Sequence, residues 1–374
     1  MQYSVKLLPP KKDLETKPIL KRLASAHRYL AELKGKAATI PNENILINTL
    51  ALQEAKDSSA IENIITTHDE LYKALLFENL FSNASAKEVN RYADALKLGF
   101  ALVREKKIIT QNHILTIQRT LEQNDAGYRR LPGTALINEV TGETVYTPPQ
   151  DYDSISRLMN NLVDFINDDK LSDVDALIKM ALLHFQFETI HPFYDGNGRT
   201  GRILNILYLV QQELLDLPIL YLSRFIIQRK GDYYRLLQEV RDKENWEAWI
   251  LYMLEGVEQT AKQTIRIIEE IRVLMQEYKH RIRNDLKKIY SQDLLNNLFK
   301  HPYTKIEFVM EELDVTRLTA TRYLNLLVEK GFLKKQKIGV SNFYINEPLY
   351  QLFKDGKMIK QKAEPIKTVN RGNE

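Results

Sequence analysis

One stretch of the sequence, residues 191–202, concentrates groups that can do chemistry; it reads HPFYDGNGRTGR. His191, with an ordinary pKa of about 6.5, is neutral near pH 7 and can accept a proton from a hydroxyl group. Asp195 provides a hard oxygen ligand of the kind that Mg²⁺ prefers beside phosphates. Gly196 and Gly198 fall where a helix is expected to begin, and the free N–H groups there suit an anion. These residues predict an anion site beside a proton acceptor.

Two arginines follow the glycines. Arg199 and Arg202 are three residues apart, so both can reach one side of the helix start. Two fixed cations imply that more than one phosphate is bound. The chain has no G-x-x-x-x-G-K-[ST] segment, so a P-loop does not hold the nucleotide. A base, a metal ligand, an anion cradle and two cations within one segment predict phosphoryl or nucleotidyl transfer.

Helices are expected to position this segment. The 374 residues include only 14 Gly and 12 Pro, and long stretches place apolar residues three and four apart. Three of these stretches are 19–33, 174–187 and 203–217. The second opens with Ser172 to Asp175, which fits a capping box, and Pro218 is expected to end the third.

Residues 131–150 differ from the helical stretches. They contain Thr, Val and Tyr around Thr141 and Gly142, a pattern that predicts a β-hairpin; an irregular loop is the alternative. The double proline at 148–149 would close either structure.

The C-terminal third reads as a long helix followed by a separate unit. The long helical pattern covers 247–283. Three shorter helices are expected at 294–299, 306–313 and 319–330, followed by a two-stranded ribbon over 332–345 around Gly339. Three helices and a ribbon are typical of a winged helix-turn-helix. Residues 281–374 hold 18 Lys and Arg against 11 Asp and Glu, which favours an acidic partner or simply a solvated basic surface.

Composition excludes several classes of protein. The absence of cysteine excludes disulfide scaffolds, thiolate zinc sites and cysteine nucleophiles. No run of about 18 apolar residues predicts a transmembrane helix, and the first residues lack the apolar core of a signal peptide. We therefore expect a cytoplasmic protein without a membrane partner. A net charge of +4 is too small to indicate nucleic acid by itself.

Residues 191–202 match every fixed position of H-x-F-x-[D/E]-G-N-G-R-x-x-R, and the sequence here resembles the Fic (filamentation induced by cAMP) family. The resemblance implies an all-α fold: a helical core with a β-hairpin flap, plus a C-terminal winged helix-turn-helix domain. The implied domains are an N-terminal helical region (1–100) with an inhibitory helix at about 55–65, a catalytic core (101–255) with the flap at 131–150, a linking helix (256–285), a winged-helix domain (286–350) and a basic tail (351–374).

The resemblance also implies an activity: transfer of AMP from ATP, with Mg²⁺, to a Ser, Thr or Tyr hydroxyl of a protein, with the protein itself among the candidate targets. His191 would be the base, Asp195 would hold Mg²⁺, and Phe193 would anchor the loop. The implied ATP-binding residues are Gly196, Asn197, Gly198, Arg199, Thr200, Gly201, Arg202, Glu62, Val145 and Tyr233. Tyrosine pairs on helices are usually core residues, so a core position is the alternative for Tyr233. The flap residues that would align a target segment are Glu143, Thr144, Val145 and Tyr146.

A second motif lies upstream, where residues 58–63 read SSAIEN and resemble the family's inhibitory pattern [S/T]-x-x-x-E-[G/N]. Ser58 and Glu62 are four apart and share a helix face, and Asn63 completes the motif. The resemblance implies that Glu62 pairs with Arg202. An arginine held by a carboxylate cannot hold the γ-phosphate, so ATP would bind in a non-productive pose.

Other activities stay open. Glu62 could instead position water to remove AMP from a modified target, and UTP or GTP could replace ATP. A kinase-like branch of the family transfers phosphate, but it departs from Gly-Asn-Gly-Arg and lacks the second arginine, both of which this sequence keeps.

A DNA-binding regulator is the alternative from another class, with the catalytic core as a nucleotide sensor. Arg317, Thr319 and Arg322 would face the groove. Lysines on the wing would lie near phosphates; these are Lys334, Lys335 and Lys337. The winged helix could equally serve protein contact or dimerisation, and we expect a homodimer.

Overall fold

A computed structural model describes residues 4–76, 83–137, 141–338 and 341–355. The N-terminal region contains α1 (Lys17–Ala37), α2 (Glu43–Ile61), α3 (His68–Leu76) and α4 (Ala84–Lys106). The core continues with α5 (Gln111–Glu122), β1 (Leu136–Ile137), β2 (Thr144–Tyr146), α6 (Tyr152–Asn167), α7 (Ala176–Ile190), α8 (Asn197–Gln211), α9 (Leu222–Gln228) and α10 (Lys230–Lys243). The C-terminal part contains α11 (Trp246–Asp285), α12 (Gln292–Lys300), β3 (Tyr303–Thr304), α13 (Ile306–Leu313), α14 (Arg317–Glu329), β4 (Lys334–Ile338), β5 (Ser341–Ile345) and α15 (Glu347–Asp355).

Helices α7 and α8 lie at the centre of the core and pack on each other. Almost every residue of α7 is buried, because other helices cover it on all sides. The expected capping box at Ser172 is wrong: Asp175 is the N-cap, and its carboxylate accepts a hydrogen bond from the Leu177 N–H at 2.8 Å. The expected end of α8 at Pro218 is also wrong. The helix ends at Gln211, because Glu213 adopts a left-handed backbone conformation (φ +54°) that reverses the chain.

The long helix α11 joins the core to the C-terminal unit, as the pattern at 247–283 predicts. Its 40 residues span about 60 Å. Near its start, the buried Trp249 donates from Nε1 to the Ala181 carbonyl oxygen of α7 at 2.8 Å. Helix α1 packs along α11, so the N-terminal region and the core share one apolar interior.

The hairpin prediction for 131–150 is confirmed. Strands β1 and β2 pair antiparallel, with Leu136 opposite Tyr146 and a register irregularity after it. Gly142 lies between them with φ +73°, a conformation that favours glycine. Residues 138–140 of the predicted flap lie outside the described residues.

The C-terminal domain is a winged helix, as predicted. Its three-stranded sheet has the order β3-β5-β4 and follows α12, α13 and α14. Helix α15 includes residues 351–355, which the sequence assigned to a basic tail; the remaining tail residues and Gly339 lie outside the described residues. The domain contacts α3 directly, because Tyr303 donates a hydrogen bond to Asp69 at 2.8 Å and its ring stacks on Tyr72.

Over the described ranges, the helices are too short or too polar for any of them to cross a bilayer.

Candidate active site

The motif residues lie at the junction of α7 and α8. His191 is the C-cap of α7 with φ +49°, and Gly196 is the N-cap of α8 with φ +75°. The side chain of Asn197 locks the loop between them: Oδ1 accepts from the Phe193 N–H and Nδ2 donates to the Phe193 carbonyl, both at 2.8 Å. Phe193 is buried in the core, as predicted for the loop anchor. The Asn197 side chain therefore fixes the conformation of the loop just before the first turn of α8.

We expect Asn197→Ala to lower the free energy of unfolding by about 2–4 kcal/mol, because both buried backbone groups of Phe193 would lose their partner. Urea unfolding followed by circular dichroism measures this loss. Asn197→Asp keeps the acceptor and loses the donor, so it should fall between the parent and the alanine variant. An alanine variant as stable as the parent would show that the loop is held by other contacts.

A cavity of about 300 Å³ opens at the start of α8. Loop residues from Tyr194 to Arg199 form one wall, and Glu62, Glu88 and His191 also line the cavity. The start of a helix attracts negative charge, because its N–H groups are free and its dipole is positive there. This cavity is therefore suited to a phosphate chain.

His191 is held neutral at pH 7. Burial, and then the positive charge of Arg129, lower the pKa of its imidazole to about 4. The sequence-based expectation of about 6.5 is wrong for this environment, because it assumed an imidazole in water. A neutral imidazole beside the anion cradle can accept a proton at physiological pH.

Arg202 is buried, with 2% of its surface exposed, and it is bound by the predicted inhibitory segment. Nη2 donates to Glu62 Oε1 at 2.7 Å, and Nε donates to Ser58 Oγ at 2.8 Å. Burial alone would raise the pKa of Glu62, but Arg202 outweighs burial and lowers it. Glu62 therefore stays ionised and paired at neutral pH. The predicted contact between Glu62 and Arg202 is present.

The predicted inhibitory helix at about 55–65 is the end of the longer helix α2. It ends at Ile61 rather than at 65, because Glu62 is the C-cap and Asn63 adopts a left-handed backbone conformation with φ +62°. The Asn63 side chain accepts a hydrogen bond from Lys230 at 3.4 Å.

The carboxylate of Glu62 also occupies part of the anion cradle. A Cβ atom added to Gly198 would collide with Glu62 Oε1, so only glycine allows this close approach. Glu62 thus contacts both the helix start at Gly198 and Arg202.

Arg199 is paired with two carboxylates that sequence reasoning missed. Its guanidinium is buried, donates a hydrogen bond to Glu88 on α4 and forms an ion pair with Glu122 on α5 at 3.0 Å; Asp195 lies 3.8 Å away. Glu122 also packs against the Gly196 backbone, where a Cβ would collide with it. No motif marked Glu88 or Glu122, because each lies on an ordinary helix far from the loop in sequence.

Asp195 fits a role as a single protein ligand of Mg²⁺. Its side chain is 77% exposed, and Oδ1 accepts from the Gly196 N–H at 2.7 Å. The described residues contain no group of three or more acidic or histidine side chains arranged to hold a metal. This fits an ion that takes its other ligands from phosphates and water.

Some predicted ATP-binding residues lie beneath the cavity rather than on its wall. Thr200 is fully buried in α8, and Gly201 packs against Phe187 and Glu188 of α7. Tyr233 is only 1% exposed and its hydroxyl bonds His184 at 2.8 Å, so its placement beside adenine is corrected to the core alternative. Its ring packs against Trp249 and Tyr252 in the core.

The flap residues divide by face. Glu143, Thr144 and Val145 are exposed, whereas Tyr146 is buried and donates from its hydroxyl to the Thr189 carbonyl of α7 at 2.9 Å. The exposed residues are free to meet a target segment, and Tyr146 ties the flap to the catalytic helix.

The winged-helix candidates lie on α14. Arg317 and Arg322 are exposed and Thr319 is half-buried. Arg317 is bound by Glu307 of α13 at 2.8 Å, and the neighbouring Leu318 is 82% exposed.

Curated relatives match parts of the chain. The Probable protein adenylyltransferase aq_aa38 of Aquifex aeolicus is 27% identical over 184 residues, which cover 48% of this chain and 54% of that protein. The Protein adenylyltransferase fic-1 of Caenorhabditis elegans is 28% identical over 89 residues, covering 24% of this chain and 16% of that protein. The chain thus spans about half the length of the first relative and much less of the second.

Solved structures share the fold. A Fic family protein from Desulfovibrio desulfuricans aligns with a TM-score of 0.58 and 18% identity, covering 90% of this chain and 98% of that one. Fic-1 of C. elegans (aa 134–508) aligns with a TM-score of 0.52 and 19% identity, covering 67% of this chain and 74% of that one.

Three family descriptions match consecutive parts of the sequence. Residues 20–101 match the Fic/DOC family N-terminal region and residues 108–209 match the Fic/DOC family itself. Residues 274–349 match the C-terminal domain of protein adenylyltransferase SoFic-like proteins. Because these matches follow the N-terminal region, the site and the winged helix in order, the chain belongs to the Fic/DOC family.

Proposed function

We propose that this protein transfers AMP from ATP to a hydroxyl group of a protein side chain, and that Glu62 holds it in a low-activity state. The observation that carries the proposal is a neutral His191 beside a helix-start anion cradle whose two arginines are both buried. The names of the curated relatives support the same activity.

The proposed reaction uses this geometry directly. His191 removes the proton from the target hydroxyl, whose oxygen attacks the α-phosphorus of ATP. The bond from that phosphorus to the bridging oxygen breaks, and pyrophosphate leaves. The free N–H groups of the first turn of α8, that of Gly198 among them, stabilise negative charge on the phosphates. Mg²⁺, held by Asp195 when bound, would offset the charge on the leaving group.

Inhibition follows because Glu62 and an outer phosphate of ATP would compete for Arg202. Glu62 bonds Arg202 and lies over Gly198, so an outer phosphate cannot take the same position. ATP would then bind with its α-phosphorus poorly aligned for in-line attack. Release of α2's last turn would free both the cradle and Arg202.

The flap supports a way to hold the target. Its exposed edge residues offer backbone groups to an extended segment, which could add to β2 as a further strand. Tyr146 fixes the other face of β2 to α7, so an added strand would have a set distance from His191.

Intact-mass analysis of the Glu62→Gly variant, incubated with ATP and Mg²⁺, tests the function. We expect a gain of one AMP unit on the protein, absent from the Glu62→Gly/His191→Ala double variant. A gain of one phosphate would instead indicate kinase-like transfer. A parallel incubation with cell lysate and α-labelled ATP covers targets other than the protein itself. No labelled protein in either reaction would overturn the proposal.

Removal of AMP from a modified target uses the same site, and the Glu62→Gly variant separates the two directions. If Glu62 positions water, purified AMP-modified protein should lose AMP with the parent and keep it with the variant. Donor choice is tested by replacing ATP with GTP or UTP in the same assay. The cytoplasmic location and the homodimer stay predictions.

DNA binding by the winged helix is a second candidate. It is favoured by exposed basic residues on α14 and on the wing strand β4, namely Arg322, Lys334, Lys335 and Lys337. The ion pair between Arg317 and Glu307 and the acidic residues of α13 weigh toward a protein partner instead. A steep fall of duplex DNA affinity with salt, weakened by Arg322→Ala, would support DNA. No retardation at low salt would remove this candidate.

A further inference from the structure

The structure assigns to Arg129 the role of a positioning residue for His191: it holds the backbone of the base and presents a fixed positive charge to its imidazole. The inference rests on the proposed function in that His191 is taken as the base. Neither the sequence motif nor the flap includes Arg129.

Three hydrogen bonds join Arg129 to the end of α7. Its N–H donates to the Pro192 carbonyl at 2.9 Å, Nε to the His191 carbonyl at 2.7 Å, and Nη2 to the Ile190 carbonyl at 3.3 Å. The last carbonyls of a helix lack intrahelical partners and form the negative end of its dipole. Arg129 therefore provides hydrogen-bond donors for these carbonyls, and its positive charge offsets the negative end of the helix dipole.

The conformation of His191 needs such support. A non-glycine residue at φ +49° is uncommon and costs energy, so it persists only where surrounding contacts impose it. The bonds to the carbonyls on both sides of the His191 α-carbon act on this backbone directly. The Arg129 side chain is fully buried, so its guanidinium is surrounded by protein rather than by solvent.

Within the described ranges, no carboxylate lies within ion-pair distance of the Arg129 guanidinium, so no ion pair there cancels its charge. Among the charged groups that act on the His191 imidazole, Arg129 and Arg241 of α10 lower its pKa, while Glu62 raises it; the Glu188 backbone also raises it. After burial, Arg129 is the largest of these influences.

Residues 129–131 join the flap to the loop that carries His191. The hydroxyl of Tyr194 accepts from the N–H groups of Arg130 and Leu131, at 2.9 and 3.2 Å. Together with Arg129, these bonds make the first residues of the flap one unit with the loop that carries His191. Arg129 thus sets the base relative to the flap that would hold a target.

The test compares Arg129→Lys and Arg129→Met with Arg130→Met, all in the Glu62→Gly background. Arg130 is the matched control: it is the adjacent arginine, it is exposed, and its side chain lies over Tyr152 instead. Two quantities are measured: the pH titration of the His191 ring by NMR, assigned by comparison with a His191→Ala spectrum, and the pH dependence of transfer.

We expect Arg129→Met to move the titration of His191 toward that of an ordinary histidine. Activity at pH 6 should then fall relative to pH 8. Burial still lowers the pKa in this variant, so the fall stays below about fourfold, the limit for an imidazole with the ordinary pKa of about 6.5. Arg129→Lys keeps the charge but cannot bond two carbonyls in the same way. It should keep the flat pH profile and lower kcat about tenfold at every pH, while Arg130→Met resembles the parent.

An unchanged His191 titration in folded Arg129→Met would overturn the electrostatic part, and an unchanged kcat in Arg129→Lys would overturn the positioning part. If Arg129→Met does not fold, Arg129→Lys still tests the positioning part. The NMR titration does not depend on transfer. An inactive Glu62→Gly parent would therefore count against the proposed function and leave the electrostatic part of the Arg129 test intact.

Discussion

Replacing His191 with alanine should lower AMP transfer by about 10²–10⁴-fold, the usual contribution of a general base. The imidazole is neutral over the whole physiological range because burial and Arg129 lower its pKa to about 4. Among the described residues that line the cavity, His191 is the only histidine. The measurement is the initial rate of transfer in the Glu62→Gly background, where inhibition does not mask the loss.

Asparagine is the better-matched replacement at this position. His191 has a left-handed backbone, which asparagine tolerates and alanine does not. His191→Asn therefore removes the base while it preserves the loop, and thermal unfolding should confirm that the variant is folded. Loss in both variants assigns the effect to the imidazole. Substantial activity in His191→Asn would contradict the assignment of this residue as the base.

Replacing Glu62 with glycine should raise transfer by about 10²-fold. The carboxylate bonds a buried arginine, and displacing the partner of a buried ion pair costs about 3 kcal/mol, equivalent to roughly 10² in the population of the competent state. Without Glu62, Arg202 keeps its bonds to Ser58 and can meet an outer phosphate. Initial rates for parent and variant, at saturating ATP, measure the difference.

Two controls define this effect. Glu62→Gln keeps the shape but removes the charge, so its rate should fall between parent and glycine variant. Glu43→Gln makes the same charge change in the first turn of α2, where the partner is the exposed Arg104, and should leave the rate unchanged. Equal rates for the parent and Glu62→Gly would mean that Glu62 does not inhibit.

The pair also has a pH dependence with a definite sign. Because the folded protein lowers the pKa of Glu62, the pair contributes stability above the ordinary glutamate pKa and loses it as the pH falls through the folded value. Inhibition should therefore persist throughout the neutral range. Acidification to near pH 4 is not a useful way to activate the enzyme, since His191 begins to protonate there as well.

Much of this protein follows from local sequence. The glycines, the arginines and His191 of 191–202 are close along the chain, so their order alone places the glycines and arginines at one helix start and His191 at the end of the helix before it. The hairpin at 131–150 and the winged helix follow from turn residues and from spacing, because each is built from neighbouring segments. The contact between Glu62 and Arg202 was also predicted, through a motif rather than through spacing.

The tertiary structure decided what surrounds those residues. Arg199 meets carboxylates from α4 and α5, Arg129 binds the end of α7, and Tyr233 is buried against Trp249. It also lowers the pKa of His191 well below its value in water. None of these contacts leaves a periodic pattern or a motif in the sequence. Each depends on which face of a distant helix packs against the loop. Burial and the proximity of charges arise only once the chain has folded, whereas a helix start and its glycines are specified by adjacent residues.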